Sequence, residues 1–218
     1  MRQITLILLC CLFFLSSFSQ ELEITCSFGH NTLYNIEDNQ SSNYTSGSAV
    51  CAEISVGFDV ASLPGGKFII FSGIENYKGS FSHSHNGKWQ GNGTYGKMEK
   101  TNLSLGFFPL NFKILNKVEL NIGFQYSVLL DGEAEGEQKS WYSYNLWPDT
   151  TTSFDGADFI EKEFIGLKLR AKYPIKLSPT TVVSPTITSL IGITSEIKNA
   201  GKPQSIRNYL GVGVSKIF

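Results

Sequence analysis

The stretch Val118–Leu130, VELNIGFQYSVLL, decides the reading of this chain. Val118, Leu120, Ile122, Phe124, Tyr126, Val128 and Leu130 fall on one side of an extended strand. Glu119, Asn121, Gly123, Gln125 and Ser127 fall on the other, followed by Leu129. Side chains of a strand alternate between faces at period two, so the segment predicts a strand with one apolar and one polar face. The same pattern sets Ala52, Ile54, Val56, Phe58 and Val60 against Glu53, Ser55, Gly57 and Asp59. It recurs where Ile165, Leu167, Leu169, Ala171 and Tyr173 oppose Gly166, Lys168, Arg170 and Lys172.

Weaker copies extend outward from these three. Leu22, Ile24, Cys26 and Phe28 oppose Glu23, Thr25, Ser27 and Gly29; Thr101, Leu103, Leu105 and Phe107 oppose Lys100, Asn102, Ser104 and Gly106. Residues 67–75 form an apolar strand whose phase the sequence leaves open. Val183, Pro185, Ile187, Ile191 and Ile193 share a face, with the phase broken at Ser189 and Leu190. Leu210, Val212 and Val214 oppose Tyr209, Gly211, Gly213 and Ser215, which brings the predicted strands to eight.

The links between them alternate between long and short. Residues 31–49, 76–96, 131–158 and 196–206 read as long polar loops; 61–66, with its Pro64-Gly65-Gly66 turn, 108–117 and 174–180 read as short turns. Transmembrane barrels segregate their links in this way, with tight turns on one side and long loops on the other. In lipid every backbone polar group must be paired within the protein, so strands cross only as a closed barrel. The expected fold is therefore all-β, an eight-stranded antiparallel transmembrane barrel of the outer-membrane type. Eight strands enclose a lumen that side chains fill. The inward set holds Glu23, Glu53, Asp59 and Glu119 against Lys100, Lys168, Arg170 and Lys172, an expected lumen ion-pair network. Inward glycines such as Gly57, Gly106 and Gly123 leave room for its long side chains.

Residues 1–19 read as a cleaved signal peptide: one charge at Arg2, an apolar run from Ile4 to Leu15, and a small-x-small site at Ser17-Phe18-Ser19. Residues 20–218 would then form the barrel domain. Two cysteines leave with the signal; Cys26 and Cys51 remain, in opposite phases, with a disulfide left open. The whole chain carries 18 Lys+Arg and 19 Asp+Glu among 218 residues, a balance that argues against a nucleic-acid binder. Its 41% hydrophobic content is ordinary; the order of the residues, not the average, points to a membrane.

The C-terminal sequence RNYLGVGVSKIF, in which Leu210, Val212, Val214 and terminal Phe218 resemble the signal read by barrel-assembly machinery, carries a family resemblance. With the strand–Pro turn–strand stretch 101–132, it makes the chain similar to the small outer-membrane barrels of Bacteroidetes-type bacteria, the broad group that includes PorT-like barrels. Lys216 stands where that pattern usually has an aromatic; near the interface a lysine can snorkel into the headgroup region. The resemblance implies outer-membrane residence in a Gram-negative envelope.

Motifs for nucleophilic, phosphate-binding, dinucleotide-binding and zinc-dependent chemistry are missing from the sequence. His83 and His85 read as members of a solvated loop and His30 as a rim residue. The expectation is a non-enzymatic protein with no cofactor and no metal site. Trp141, Tyr142, Tyr144 and Trp147 cluster in the third long segment, where aromatics pack on each other, sit at the membrane interface, or dock an extracellular protein or glycan. The expected role is structural or cell-surface interaction, with outer-membrane lipid and the assembly machinery as partners. A narrow solute pore, a lipid-modifying enzyme at the rim and a secreted soluble barrel with a ligand pocket stand as rivals.

Overall fold

A computed structural model of the chain describes residues 21–34, 42–86, 90–114, 117–142, 150–156, 160–197 and 203–218. The predicted signal peptide lies outside them. The strands are β1 (Glu21–Tyr34), β2 (Ser42–Asp59), β3 (Lys67–Asn86), β4 (Gln90–Ile114), β5 (Val118–Tyr142), β6 (Thr150–Asp155), β7 (Glu163–Lys172), β8 (Ile175–Lys176), β9 (Thr181–Gly192) and β10 (Gln204–Ile217). The ladder runs β10-β1-β2-β3-β4-β5-β7-β9, and β9 pairs back with β10. The ring is thus a closed antiparallel barrel of eight strands, with β6 and β8 as short additions on β5 and β9. Closure removes both sheet edges, as a hydrocarbon surrounding requires.

The outer wall is apolar. Ile24, Phe28, Ile74, Leu105, Phe124, Ile187 and Leu210 all point outward and are exposed. On β3 this belt runs from Phe68 to Asn76, nine residues, close to the ~9–11 that a tilted strand needs to cross a bilayer. Its upper limit on β3–β4 is drawn by Asn76, which donates to the Thr101 hydroxyl at 3.0 Å, and just above it by the exposed Lys78–Glu99 pair at 2.7 Å. Among the described residues no helix is long and apolar enough to cross a membrane.

The long links predicted above are largely strand. β4 and β5 are each 25 residues long, more than twice a membrane crossing. Their upper parts, with those of β2 and β3 and with β6, continue beyond the belt as a projecting antiparallel sheet. Such polar strands leave no alternating mark in the sequence, because both faces meet water or sparse apolar contacts. On the inward side stand scattered apolar residues such as Ala49, Phe81, Met98 and Ala134, buried with Leu33, Tyr77, Ile160 and Ile197 in a core that caps the lumen. Ile160 and Ile197 bridge the two connections that fold over this end.

The other end closes with tight turns. Residues 60–66 are held by bonds from Val60 N to Gly66 O at 2.9 Å and from Leu63 N to Val60 O at 3.0 Å. Gly65 has φ +79°, and a β-carbon there would lie 1.6 Å from the Asn111 carbonyl, so the turn docks against β4 only with glycine. Pro109, which cannot donate to a ladder, sits at the register shift between Phe107 and Leu110. A second shift, opposite Thr101/Asn102, leaves Leu130 unpaired and reverses the faces of β5 beyond it. Leu129, on the polar face by phase, packs against the capping core.

Two phase questions are settled. Along β3 the inward positions are Ile69, Phe71, Glu75 and Tyr77, while Ile70 and Ile74 face out; apolar residues on both sides hid the alternation. Along β9 the phase does not break. Leu190 is fully buried inside and Ser189 faces outward, its hydroxyl 2.9 Å from Asn208 Oδ1.

Candidate functional site in the lumen

The inward face of each strand delivers charge to a confined space, and the charges settle into two clusters. In the turn-side half, Glu53 accepts from Lys168 at 2.5 Å and from Arg170. Lys172 lies 3.0 Å from Glu23, 3.3 Å from Glu21 and 3.3 Å from Glu119, and Lys67 closes on Glu21. Phe71 and Phe108 line the same space, with the Lys168 ammonium 4.1 Å from the Phe71 ring and the Arg170 guanidinium 4.9 Å from Phe108. Gly106 makes room for Phe71 rather than for a basic side chain: a β-carbon there would lie 2.3 Å from that ring.

In the opposite half, Arg207 is fully buried between the rings of Tyr77 at 3.7 Å and Phe164 at 4.2 Å. It donates to Glu75 at 2.8 Å, to the Tyr77 hydroxyl at 2.8 Å and to Glu196. Glu196 also accepts from Lys100 at 2.7 Å, Tyr77 at 2.8 Å and Ser205 at 2.6 Å. Gln125 joins the halves: it donates to Glu75 at 2.9 Å and accepts from Lys168 at 2.9 Å. A continuous path of polar contacts therefore runs Glu53–Lys168–Gln125–Glu75–Arg207–Glu196–Lys100. The turn-side cluster balances Glu21, Glu23, Glu53 and Glu119 with Lys67, Lys168, Arg170 and Lys172; the other balances Glu75 and Glu196 with Lys100 and Arg207. Each buried charge has a counter-charge, the condition under which ions survive in a low-dielectric interior. The space left between Glu23, Asn121 and Arg170 is about 10 Å³, at the lower limit for a single water.

Of the residues the sequence singled out, Glu23, Glu53, Lys168, Arg170 and Lys172 come together, with Glu119 joining at the rim through Lys172. Lys100 does not pair with any of the predicted acids; its partner is Glu196. Asp59 is a correction: as the last residue of β2 it emerges at the turn-side mouth, exposed, and makes no ion pair with a described residue. The sequence reading missed Glu21, Lys67, Glu75, Arg207 and Glu196. Glu75 lay on the strand of open phase. Arg207 precedes the apolar part of β10, which begins at Gln204 rather than Tyr209, and Glu196 belongs to a connection. The lumen is also less uniformly polar than expected, since it holds two apolar clusters.

Glu196 lies outside the membrane-spanning strands, and burial alone would push its carboxyl up. Lys100 and Arg207 outweigh that and hold it down at about 2. A carboxyl lower in the folded than in the unfolded chain adds stability above its unfolded value near 4.5 and loses it as pH falls toward the folded value. The expected result is a urea midpoint that drops between about pH 4.5 and pH 2, with a shallower drop in E196Q. Equal slopes in the two proteins would remove Glu196 as the responsible group.

Trp141, at the end of β5, lies over Gly91 of β4, where a β-carbon would be 2.3 Å from the indole. Tyr142 ends the same strand; Tyr144 and Trp147 lie outside the described residues. Leu210, Val212 and Val214 face outward, half exposed, and Phe218 is exposed with the Lys216 ammonium 5.2 Å from its ring. Cys26 faces out and Cys51 is buried inside, both as free thiols. His30 is exposed on β1. His83 and His85 lie on β3, not in a loop, paired along the backbone with Thr94 and Asn92. Among the described residues no group of three His, Cys, Asp or Glu side chains gathers as a metal site.

No protein-family model matches the sequence, and no curated protein matches it either. Solved structures are similar to the chain at low identity. Neisserial surface protein A, NspA, is 12% identical over 90% of this chain and 97% of its own, with a TM-score of 0.40. Ail, the attachment invasion locus protein of Yersinia pestis, is 11% identical over 90% of this chain and 99% of its own, with a TM-score of 0.38. The outer membrane protease OmpT from Escherichia coli is 11% identical over 92% of this chain and 97% of its own, with a TM-score of 0.32. A protease stands among these similar structures, and the expectation of a non-enzymatic protein is corrected accordingly; a fold does not by itself fix an activity.

Proposed function

We propose that the protein resides in the outer membrane as a plugged barrel that acts through its projecting sheet, in surface structure or in contact with an extracellular protein or glycan. The observation that carries this reading is the unbroken polar path from Glu53 to Lys100, which fills the lumen and leaves the outside as the working surface. Export by a cleaved leader at residues 1–19 belongs to the same reading, as does kinship with PorT-like barrels, supported by the C-terminal Leu210, Val212, Val214 and Phe218. Those residues are the part offered to assembly machinery, and Trp141 with Tyr142, Tyr144 and Trp147 is the part offered to a partner.

Two measurements test the reading. Cell fractionation is expected to recover the protein in the outer membrane with a heat-modifiable gel mobility. Recovery as a soluble periplasmic protein would overturn the reading in favour of a secreted barrel. In a planar bilayer the purified protein is expected to give no discrete conductance steps at modest voltage; reproducible single-channel events would replace the plugged surface barrel with a narrow solute pore.

A further inference from the structure

The turn-side mouth of the barrel opens into a cavity of about 560 Å³ that has chemistry of its own. Five lysines line it, Lys67, Lys113, Lys117, Lys172 and Lys176, against three acids, Glu21, Asp59 and Glu119. Lys67 and Lys172 are taken up by Glu21, Glu23 and Glu119. Lys113, Lys117 and Lys176 are exposed, come from the β4–β5 hairpin and from β8, and make no ion pair with a described residue. Among the described lining residues only Asp59 remains to set against them. Deeper in the same cavity stand Ser184 and Ser215, 1% and 2% exposed, and neither hydroxyl has a hydrogen-bond partner among the described residues. Buried hydroxyls ordinarily find a partner. Here two of them, from neighbouring strands β9 and β10, line a space ringed by surplus positive charge.

We propose that this mouth is a binding site for a phosphate-bearing anion. Lysine ammonium groups act on phosphate as point charges with rotatable donors. Lys113, Lys117 and Lys176 draw the anion in, and Ser184 and Ser215 donate to its oxygens at the floor. The volume exceeds that of a bare phosphate and accommodates a phosphorylated small molecule or a lipid headgroup; the chemistry recognised is the same in both.

The test uses the folded full-length barrel in uncharged detergent at low salt, titrated calorimetrically with inorganic pyrophosphate and, separately, with short-chain phosphatidylglycerol. Wild-type protein is expected to bind at least one probe, and K113Q/K117Q/K176Q to bind it about tenfold or more weakly. These three lysines make no ion pair with described residues, so heat-modifiable mobility is expected to persist in the triple variant. S184A/S215A, which leaves every charge in place, is expected to weaken binding severalfold, and K139Q, on the projecting sheet, to leave it unchanged. Pyrophosphate alone binding assigns the site to a free anion, and the lipid alone assigns it to a headgroup. Absence of binding by both probes, or affinity equal in wild type and both multiple variants, overturns the proposal.

Discussion

Replacing Arg207 with methionine is expected to destabilise the barrel by about 3–5 kcal/mol, the usual consequence of removing one partner from a buried ion pair. Methionine keeps much of the apolar volume between Tyr77 and Phe164, so the effect isolates charge rather than packing. The guanidinium serves two carboxylates and a phenol at once. Without it Glu196 still has Lys100, Tyr77 and Ser205, whereas among the described residues Glu75 keeps only the Gln125 amide at 2.9 Å. Glu75 is fully buried, and one of its oxygens already lacks a hydrogen bond. The penalty therefore falls mainly on Glu75, and R207M/E75Q is expected to recover half or more of the loss. Urea titration of the folded, heat-modifiable band reads both numbers. A loss below about 1 kcal/mol for R207M, the range of an exposed pair, would show that this part of the lumen is wet rather than sealed.

The second large effect concerns the outer wall. Phe124 lies in the middle of the apolar, alternating part of β5, 47% exposed, beside Phe107 with ring centroids 6.0 Å apart, and opposite Leu167 of β7. Arginine at this position is expected to destabilise the protein in bilayers by about 2–4 kcal/mol, the penalty for a basic side chain facing lipid near the midplane. The same substitution at Thr151, exposed on β6 in the projecting sheet, is expected to change stability by less than about 0.5 kcal/mol. A soluble barrel would remove the difference, because an arginine on its outer wall would meet water. F124R as stable as T151R in lipid vesicles would therefore sink the membrane assignment, whatever the lumen contains.

The legible part of the sequence coincides with the part bounded by lipid. Between Leu120 and Val128 every outward residue meets hydrocarbon and every inward one meets the lumen, and the two solvents write an alternating pattern into the chain. Where β4 and β5 rise above the belt, both faces leave hydrocarbon. Residues 90–96 and 131–142 then read as loops although they are ladders of the projecting sheet. The same reasoning explains β3. Ile69 and Phe71 turn inward against Phe108 while Ile70 and Ile74 meet lipid, so apolar residues stand on both faces and the phase is unreadable. Ser189 and Leu190 mislead for the opposite reason: a serine on the lipid side is satisfied by Asn208, and a leucine inside is fully buried. In the candidate site, Glu53, Lys168, Arg170 and Lys172 were legible because they sit on well-phased spans. Glu75, Glu196 and Arg207 were not, because each lies where the pattern lapses.

The sequence by itself determined that eight spans face lipid with one side and a charged lumen with the other, because each span is a local amphipathic object readable within ten residues or so. It also pointed to a lumen of mixed charge, which needs only the signs of the inward residues. Only the tertiary structure decided which charges meet. Lys168 and Glu53 are 115 positions apart, and Arg207 and Glu75 are 132 apart. Pairings at such separations exist only once β10 has closed on β1 and set the register all the way round. Closure likewise created the turn-side mouth, where Lys113, Lys117 and Lys176, unremarkable in sequence, face Ser184 and Ser215 across a single cavity.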